Sequence, residues 1–192
     1  MLRHPGGMLL VAGGCFVALA AAAAFSVAIP ADAAVRGALL ALATPPVVGA
    51  MRIVTRLGHA WFLVPATLAL FVVFPATRKR WPLWLGLMIV AGLAEPALKP
   101  LVQRPRPEDP SHGFPSGHAT AAAAFFSAVI YLAGALAPPK RTVARAVAAL
   151  AIVAVGVSRV TLRAHWPSDV LGGIALGMAL AAAAALVADR RG

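Results

Sequence analysis

The stretch FPSGHATAAAAFFSAVIYLAGALA, residues 114–137, joins a short polar turn to a long apolar run. An α-helix rises about 1.5 Å per residue, so about 20 apolar residues cross a hydrocarbon core. Gly117 to Ala137 meets that length without one Asp, Glu, Lys or Arg. The unpaired N–H groups and positive dipole end at its start make the turn a place for an anion, and Gly117 lets the backbone approach closely. One segment thus predicts a membrane helix and, at its mouth, a site for negative charge.

Five other apolar segments lie around it: Met8 to Ile29, Ala60 to Ala76, Leu83 to Leu98, Thr142 to Val157 and Ser168 to Val187. A chain of 192 residues that is 61% apolar and 12% charged lies outside the soluble norm. The expectation is an all-α polytopic membrane bundle of six transmembrane helices, forming one membrane-embedded domain over residues 1–192. The second, third and fifth spans are short, so their ends take in flanking polar residues or sit where the bilayer thins. The first span has some features of a secretory signal, with Arg3 before it and Ala31-Asp32-Ala33 after it. Its apolar run exceeds the roughly 7 to 15 residues of a signal core, and keeping it makes the span count even. Cys15, the one cysteine, is expected to be a small packing residue in that helix.

The net charge of +11 does not gather on one face or tail, which argues against a nucleic-acid partner. Arg3, Arg78-Lys79-Arg80, Lys140-Arg141 with Arg145, and Arg190-Arg191 all fall on one side of a chain that crosses six times. By the positive-inside rule that side is cytoplasmic, with both termini there. Short connections fit a bacterial plasma membrane. The opposite, extracytoplasmic side carries Arg36, Arg52 and Arg56, then Lys99, Arg104 and Arg106, then Arg159 and Arg163. Charges that orientation does not need there are better explained by holding an anion. After Pro45-Pro46, Val47, Val48, Met51, Val54 and Leu57 recur at helical spacing, with Arg52, Thr55, Arg56 and His59 on the other face. That pattern fits an interfacial helix on anionic headgroups or a helix that caps the bundle.

Three outer segments carry the chemistry. Lys99 to Pro107 holds prolines at three places, which predicts a stiff loop whose lysine and arginines suit phosphate oxygens. In the second, Pro115 to His118, Ser116 can cap the helix, bind phosphate, or do both, and His118 can pass a proton to a leaving oxygen or merely cap the helix. The third, Ser158 to Asp169, places Asp169 four residues beyond His165, where it can turn back to a ring nitrogen. Such a carboxylate fixes the tautomer and leaves the other nitrogen nucleophilic, although the same pair can be purely structural. Three segments at helix ends on one predicted side supply the parts of a phosphoryl-transfer site. Glu95, one turn before Lys99, is expected to pair with it.

These residues resemble the three-part signature of the type 2 phosphatidic acid phosphatase family, which is similar to vanadium haloperoxidases. K-x(6)-R-P falls on Lys99, Arg106 and Pro107, leaving Arg104 outside the pattern. P-S-G-H falls on Pro115 to His118, and S-R-x(5)-H-x(3)-D on Ser158, Arg159, His165 and Asp169. The resemblance implies a membrane lipid phosphatase in which His165 attacks phosphorus, Asp169 orients it and His118 protonates the leaving oxygen. Lys99, Arg106, Ser116, Gly117 and Arg159 would bind the phosphoryl oxygens, with no metal and no cofactor. The implied partners are the bilayer and a lipid phosphate, such as undecaprenyl pyrophosphate, phosphatidylglycerophosphate, phosphatidic acid or a lipid A phosphate. A catalytically inactive lipid-phosphate-binding protein on the same fold is the competing expectation. The Ala-rich helices can pack on one another or on a second subunit, so oligomeric state stays open.

Overall fold

The computed structural model describes residues 4–25 and 29–190. Among them the chain forms helices α1 (Pro5–Ala24), α2 (Pro30–Ala41), α3 (Pro45–Val54), α4 (Ala60–Val73), α5 (Trp81–Val102), α6 (Gly117–Leu132), α7 (Pro138–Thr161) and α8 (Pro167–Arg190). Short 3-10 turns follow α3, α4 and α6. Proline occupies the first helical positions of α1, α2, α3, α5 and α7. It costs nothing there, because the N–H it lacks would be unpaired anyway.

Five helical stretches are long and apolar enough to cross a membrane: Pro5–Ala24, Thr77–Val102, Gly117–Ala135, Pro138–Thr161 and Pro167–Arg190. The second expected span is the short α4, whose 14 residues reach about 21 Å against a hydrocarbon core of about 30 Å. The end of the first expected span, residues 26–28, lies outside the described residues, as do Arg3 and Arg191.

α6 and α8 form the centre, and each is largely buried. Between lipid-immersed helices there is no water to expel, so close backbone approach and van der Waals contact do the packing. Gly173 and Gly177 permit that approach: a Cβ on Gly173 would lie 2.6 Å from the Ser116 carbonyl oxygen, and one on Gly177 would collide with the Thr120 carbonyl. α1 lies along α8, with Phe16 stacked on the fully buried Phe114 at 6.0 Å. α7 buries Ala148, Ala151, Ile152 and Val155, and turns Val143, Val147, Leu150 and Val153 outward, as a lipid-facing helix should.

Three expectations need correction. The prolines after Lys99 do not all break the helix: α5 runs through Pro96 and Pro100 and ends at Gln103, whose φ of 54° closes it in the left-handed region. Each proline removes one backbone bond, a loss that a membrane helix bears near its end, so Lys99 sits on helix and only Pro105 and Pro107 lie in the loop. Cys15 is exposed on the outside of α1 and is not a packing residue. The first outer connection holds two helices, because α2 precedes the expected helix α3. α2 and α3 with its 3-10 turn are bent by 114° to one another and lie against the site end of α7.

Candidate active site

The site forms where α6 and α8 begin. The Ser116 N–H donates to the Asp169 main-chain oxygen at 3.0 Å, so the P-S-G-H turn and the first turn of α8 are joined by backbone. Two helix N-termini then open toward one place, and both dipoles favour an anion there. Ser116 is fully buried and its hydroxyl has no hydrogen-bond partner among the described residues. Arg159, on the last turn of α7, spends one Nη on Thr55 Oγ1 at 3.0 Å, while its buried Nε is likewise unpartnered. Buried donors without acceptors are costly and rare. An anion with several oxygens would satisfy both.

His165 follows α7 in a tight turn and is 2% exposed. Its Nδ1 lies 3.5 Å from Asp169 Oδ2, long for a formed hydrogen bond, and has no other partner among the described residues. Such contacts are often long before substrate binds. Burial holds the imidazole below its ordinary pKa. The Asp169 carboxylate opposes that shift, while Arg159 and Arg106 add to it. The ring is therefore neutral near pH 7, the state in which a nitrogen can attack.

Asp169 is fully buried and multiply held. Its Oδ2 accepts the Trp166 N–H at 3.1 Å, and its Oδ1 accepts Arg104 Nη1 at 2.9 Å. Arg104 reaches it from a small hairpin after α5, in which Gly113 N–H bonds the Arg104 oxygen at 2.7 Å and Arg106 N–H bonds the Ser111 oxygen at 3.0 Å. Residues two apart on extended chain share a side, so Arg104 and Arg106 both turn toward the His-Asp pair. Arg106 places its Nε 3.4 Å from the His112 oxygen and acts on His165 by charge.

His118, in the first turn of α6, lies edge-on to His59 with ring centroids 5.6 Å apart, and Arg159, Glu95 and His165 are near enough to act on it by charge. Lys99 pairs with Glu95 as the spacing predicts, and the Glu95 carboxylate occupies the space that a side chain on Gly117 would fill. All eight expected site residues thus gather at one end of the bundle. Four others outside those eight join them: Asp32, His59 and Thr55 from the first outer connection, and Arg104, which the signature left out. The signal for Asp32 and Arg104 was a shortage, since only six acidic residues face 17 basic ones. A carboxylate beside an apolar run under those conditions has a cation partner.

Arginines and unpartnered buried donors gather around His165 at one end of a multi-pass helix bundle, an arrangement suited to an anion such as a phosphoryl group. The PAP2 superfamily profile matches residues 81–192, and the chain belongs to that family. Phosphatidylglycerophosphatase B of Bacillus subtilis (strain 168) is 31% identical over 176 residues, covering 86% of this chain and 87% of the relative. Lipid A 1-phosphatase of Rhizobium johnstonii is 33% identical over 130 residues, covering 57% of this chain and 50% of the relative. The crystal structure of the transmembrane PAP2 type phosphatidylglycerolphosphate phosphatase from Bacillus subtilis superposes with a TM-score of 0.78 at 29% identity, over 97% of this chain and 96% of that one.

Proposed function

We propose that this PAP2-type membrane lipid phosphatase removes the terminal phosphate of phosphatidylglycerophosphate through a phosphohistidine on His165. The observation that carries the mechanism is the buried His165 beside Asp169, at the same end of the bundle as the unspent donors of Ser116 and Arg159. The other imidazole nitrogen of His165 attacks phosphorus as the bond to the lipid oxygen breaks. His118 gives its proton to that oxygen and the lipid alcohol departs. Water then attacks the phosphohistidine, His118 takes back a proton, the P–N bond breaks, and inorganic phosphate leaves with His165 neutral again. Lys99, Arg106, Arg159, Ser116 and the Gly117 N–H stabilise the charge on the equatorial oxygens.

The lipid assignment is supported by similarity over most of the chain to phosphatidylglycerophosphatase B and to the phosphatidylglycerolphosphate phosphatase structure of Bacillus subtilis. An apolar cavity of about 220 Å3 between α4 and α5 suits the hydrocarbon. Its wall includes Ala60, Gly92 and Ala121, which adjoin His59 or lie one turn from Glu95 and His118. The whole chain then works as one membrane-embedded domain, with termini in the cytoplasm of a bacterial cell and the site on the other face. A metal-free reaction is favoured by the cationic donor set. Among the described residues no three His, Cys, Asp or Glu side chains are grouped to hold a metal ion.

The test is phosphate release by purified protein from phosphatidylglycerophosphate, phosphatidic acid, undecaprenyl pyrophosphate and lipid A, with chelator present. Fastest turnover of phosphatidylglycerophosphate, unaffected by chelator, is expected. Faster turnover of another lipid would overturn the substrate assignment, and loss of activity in chelator with recovery on added metal would overturn the mechanism.

A further inference from the structure

The N-terminal part of the chain, outside residues 81–192, sends one carboxylate into the site. Asp32, in the first turn of α2, is 5% exposed. Its Oδ2 accepts Arg104 Nη2 at 2.6 Å and the Ser168 hydroxyl at 2.6 Å, and its Oδ1 accepts the Ser168 N–H at 2.8 Å. Asp32 thereby caps the start of α8 from a distant part of the chain, one residue before Asp169. The Arg104 guanidinium lies between two carboxylates, with Nη2 on Asp32 and Nη1 on both Asp169 and the Ser168 hydroxyl. One turn along α2, Arg36 pairs with Glu108 and lies over the Trp166 ring at 5.6 Å, as Arg104 does at 5.9 Å. α2 is thus fastened over the His-Asp pair at two points.

We infer that Asp32 and Arg104 are positioning residues that set the Asp169 carboxylate against His165. Arg104 does so by a fork whose two ends need fixed acceptors, which a lysine cannot reproduce. Asp32 supplies the second acceptor, so that the guanidinium is neither free to collapse fully onto Asp169 nor left as an uncompensated buried charge. The effect reaches the reaction only through Asp169 and His165, and the inference rests on the reading of His165 as nucleophile.

Geometry and charge make separable predictions. The charged groups around His165 are Asp169 on α8, Arg159 on α7, His118 on α6, Arg104 and Arg106 on the hairpin, and Asp32 on α2 behind Arg104. Removing the Arg104 charge leaves the Asp169 carboxylate freer to stabilise a protonated ring, so the acid limb of kcat/KM rises in Arg104→Gln. Removing the Asp32 charge leaves Arg104 uncompensated, so the limb falls in Asp32→Asn. Arg104→Lys keeps the charge and loses the fork.

The experiment measures kcat, KM and the acid limb of detergent-purified wild type, Asp32→Asn, Arg104→Gln, Arg104→Lys and His165→Ala, with monodispersity and thermal midpoint as controls on folding. For Asp32→Asn and Arg104→Lys, kcat falls by about ten- to a hundredfold with KM within about twofold, the scale of a misplaced catalytic group. The limbs of Asp32→Asn and Arg104→Gln move in opposite directions. Asp32→Glu, which keeps the charge and both acceptor oxygens, recovers part of kcat and replaces Asp32→Asn if that variant does not fold. Folded variants with wild-type kcat and an unmoved limb, alongside an inactive His165→Ala, would overturn this inference alone. A His165→Ala protein as fast as wild type would overturn the nucleophile and the inference together.

Discussion

The two ends of the bundle carry the same residue type for different ends. Away from the site, Arg78 Nε donates to the Phe71 oxygen at 2.7 Å, Arg145 Nε to the Ile130 oxygen at 3.2 Å, and Arg80 to the Ala188 oxygen. Those carbonyls close helices, where the dipole welcomes a cation. At the site end, Arg104 follows the end of α5 and Arg159 sits on the last turn of α7, and both reach toward the starts of α6 and α8 rather than to a carbonyl that closes a helix. They persist because carboxylates or hydroxyls hold them, and because an anion is meant to arrive. The comparison teaches that an arginine's partner, a carbonyl that closes a helix at one end and a buried carboxylate or hydroxyl at the other, distinguishes the two ends.

The comparison breaks most directly at the nucleophile. His165→Ala is expected to lower kcat by more than about a thousandfold, read by phosphate release, while the melting temperature holds. Next, Arg159→Gln should cost about a hundred- to a thousandfold in kcat/KM, as for loss of one donor to the transition state. The pH profile gives a smaller, sharper test. On the proposed mechanism His165 attacks only when neutral, and its pKa lies below the ordinary imidazole value of about 6.5, so the acid limb that His165 sets in kcat/KM should lie below pH 6.5. Asp169→Asn removes the group that opposes this shift, so the residual activity should persist to lower pH still. At the opposite end, Arg80→Gln should change kcat/KM by less than about twofold, because a surface substitution away from the chemistry touches neither binding nor reaction. An Arg80→Gln enzyme as impaired as Arg159→Gln would undo the distinction between the two ends.

Much of this was legible before the fold was known. The apolar lengths gave the spans because lipid forces backbone polar groups into helices, and the three motif segments named eight of the residues that the fold gathers. The His165–Asp169 and Glu95–Lys99 pairs were local, four residues apart on one turn, so spacing alone could find them. Asp32 and Arg104 meet across 72 residues, and no periodicity reports a contact that only the docking of α2 creates. α2 itself had a readable start, Pro30 at the first helical position with Asp32 in the first turn, but a connection already assigned to one helix concealed it. Lys99 was placed in a loop because proline rules drawn from water overstate the damage near the end of a membrane helix.

The seam between α6 and α8 has a consequence for how such an enzyme changes its diet. With Gly173 and Gly177 against the backbone of α6 and Ser116 tied to Asp169, the P-S-G-H turn and the first turn of α8 are packed as one piece. Chemistry built that way tolerates little variation. If the apolar cavity between α4 and α5 takes the hydrocarbon, the residues lining it, away from Asp32 on α2 and Lys99 on α5, are where substitution can retune the choice of lipid while leaving the reaction as it is.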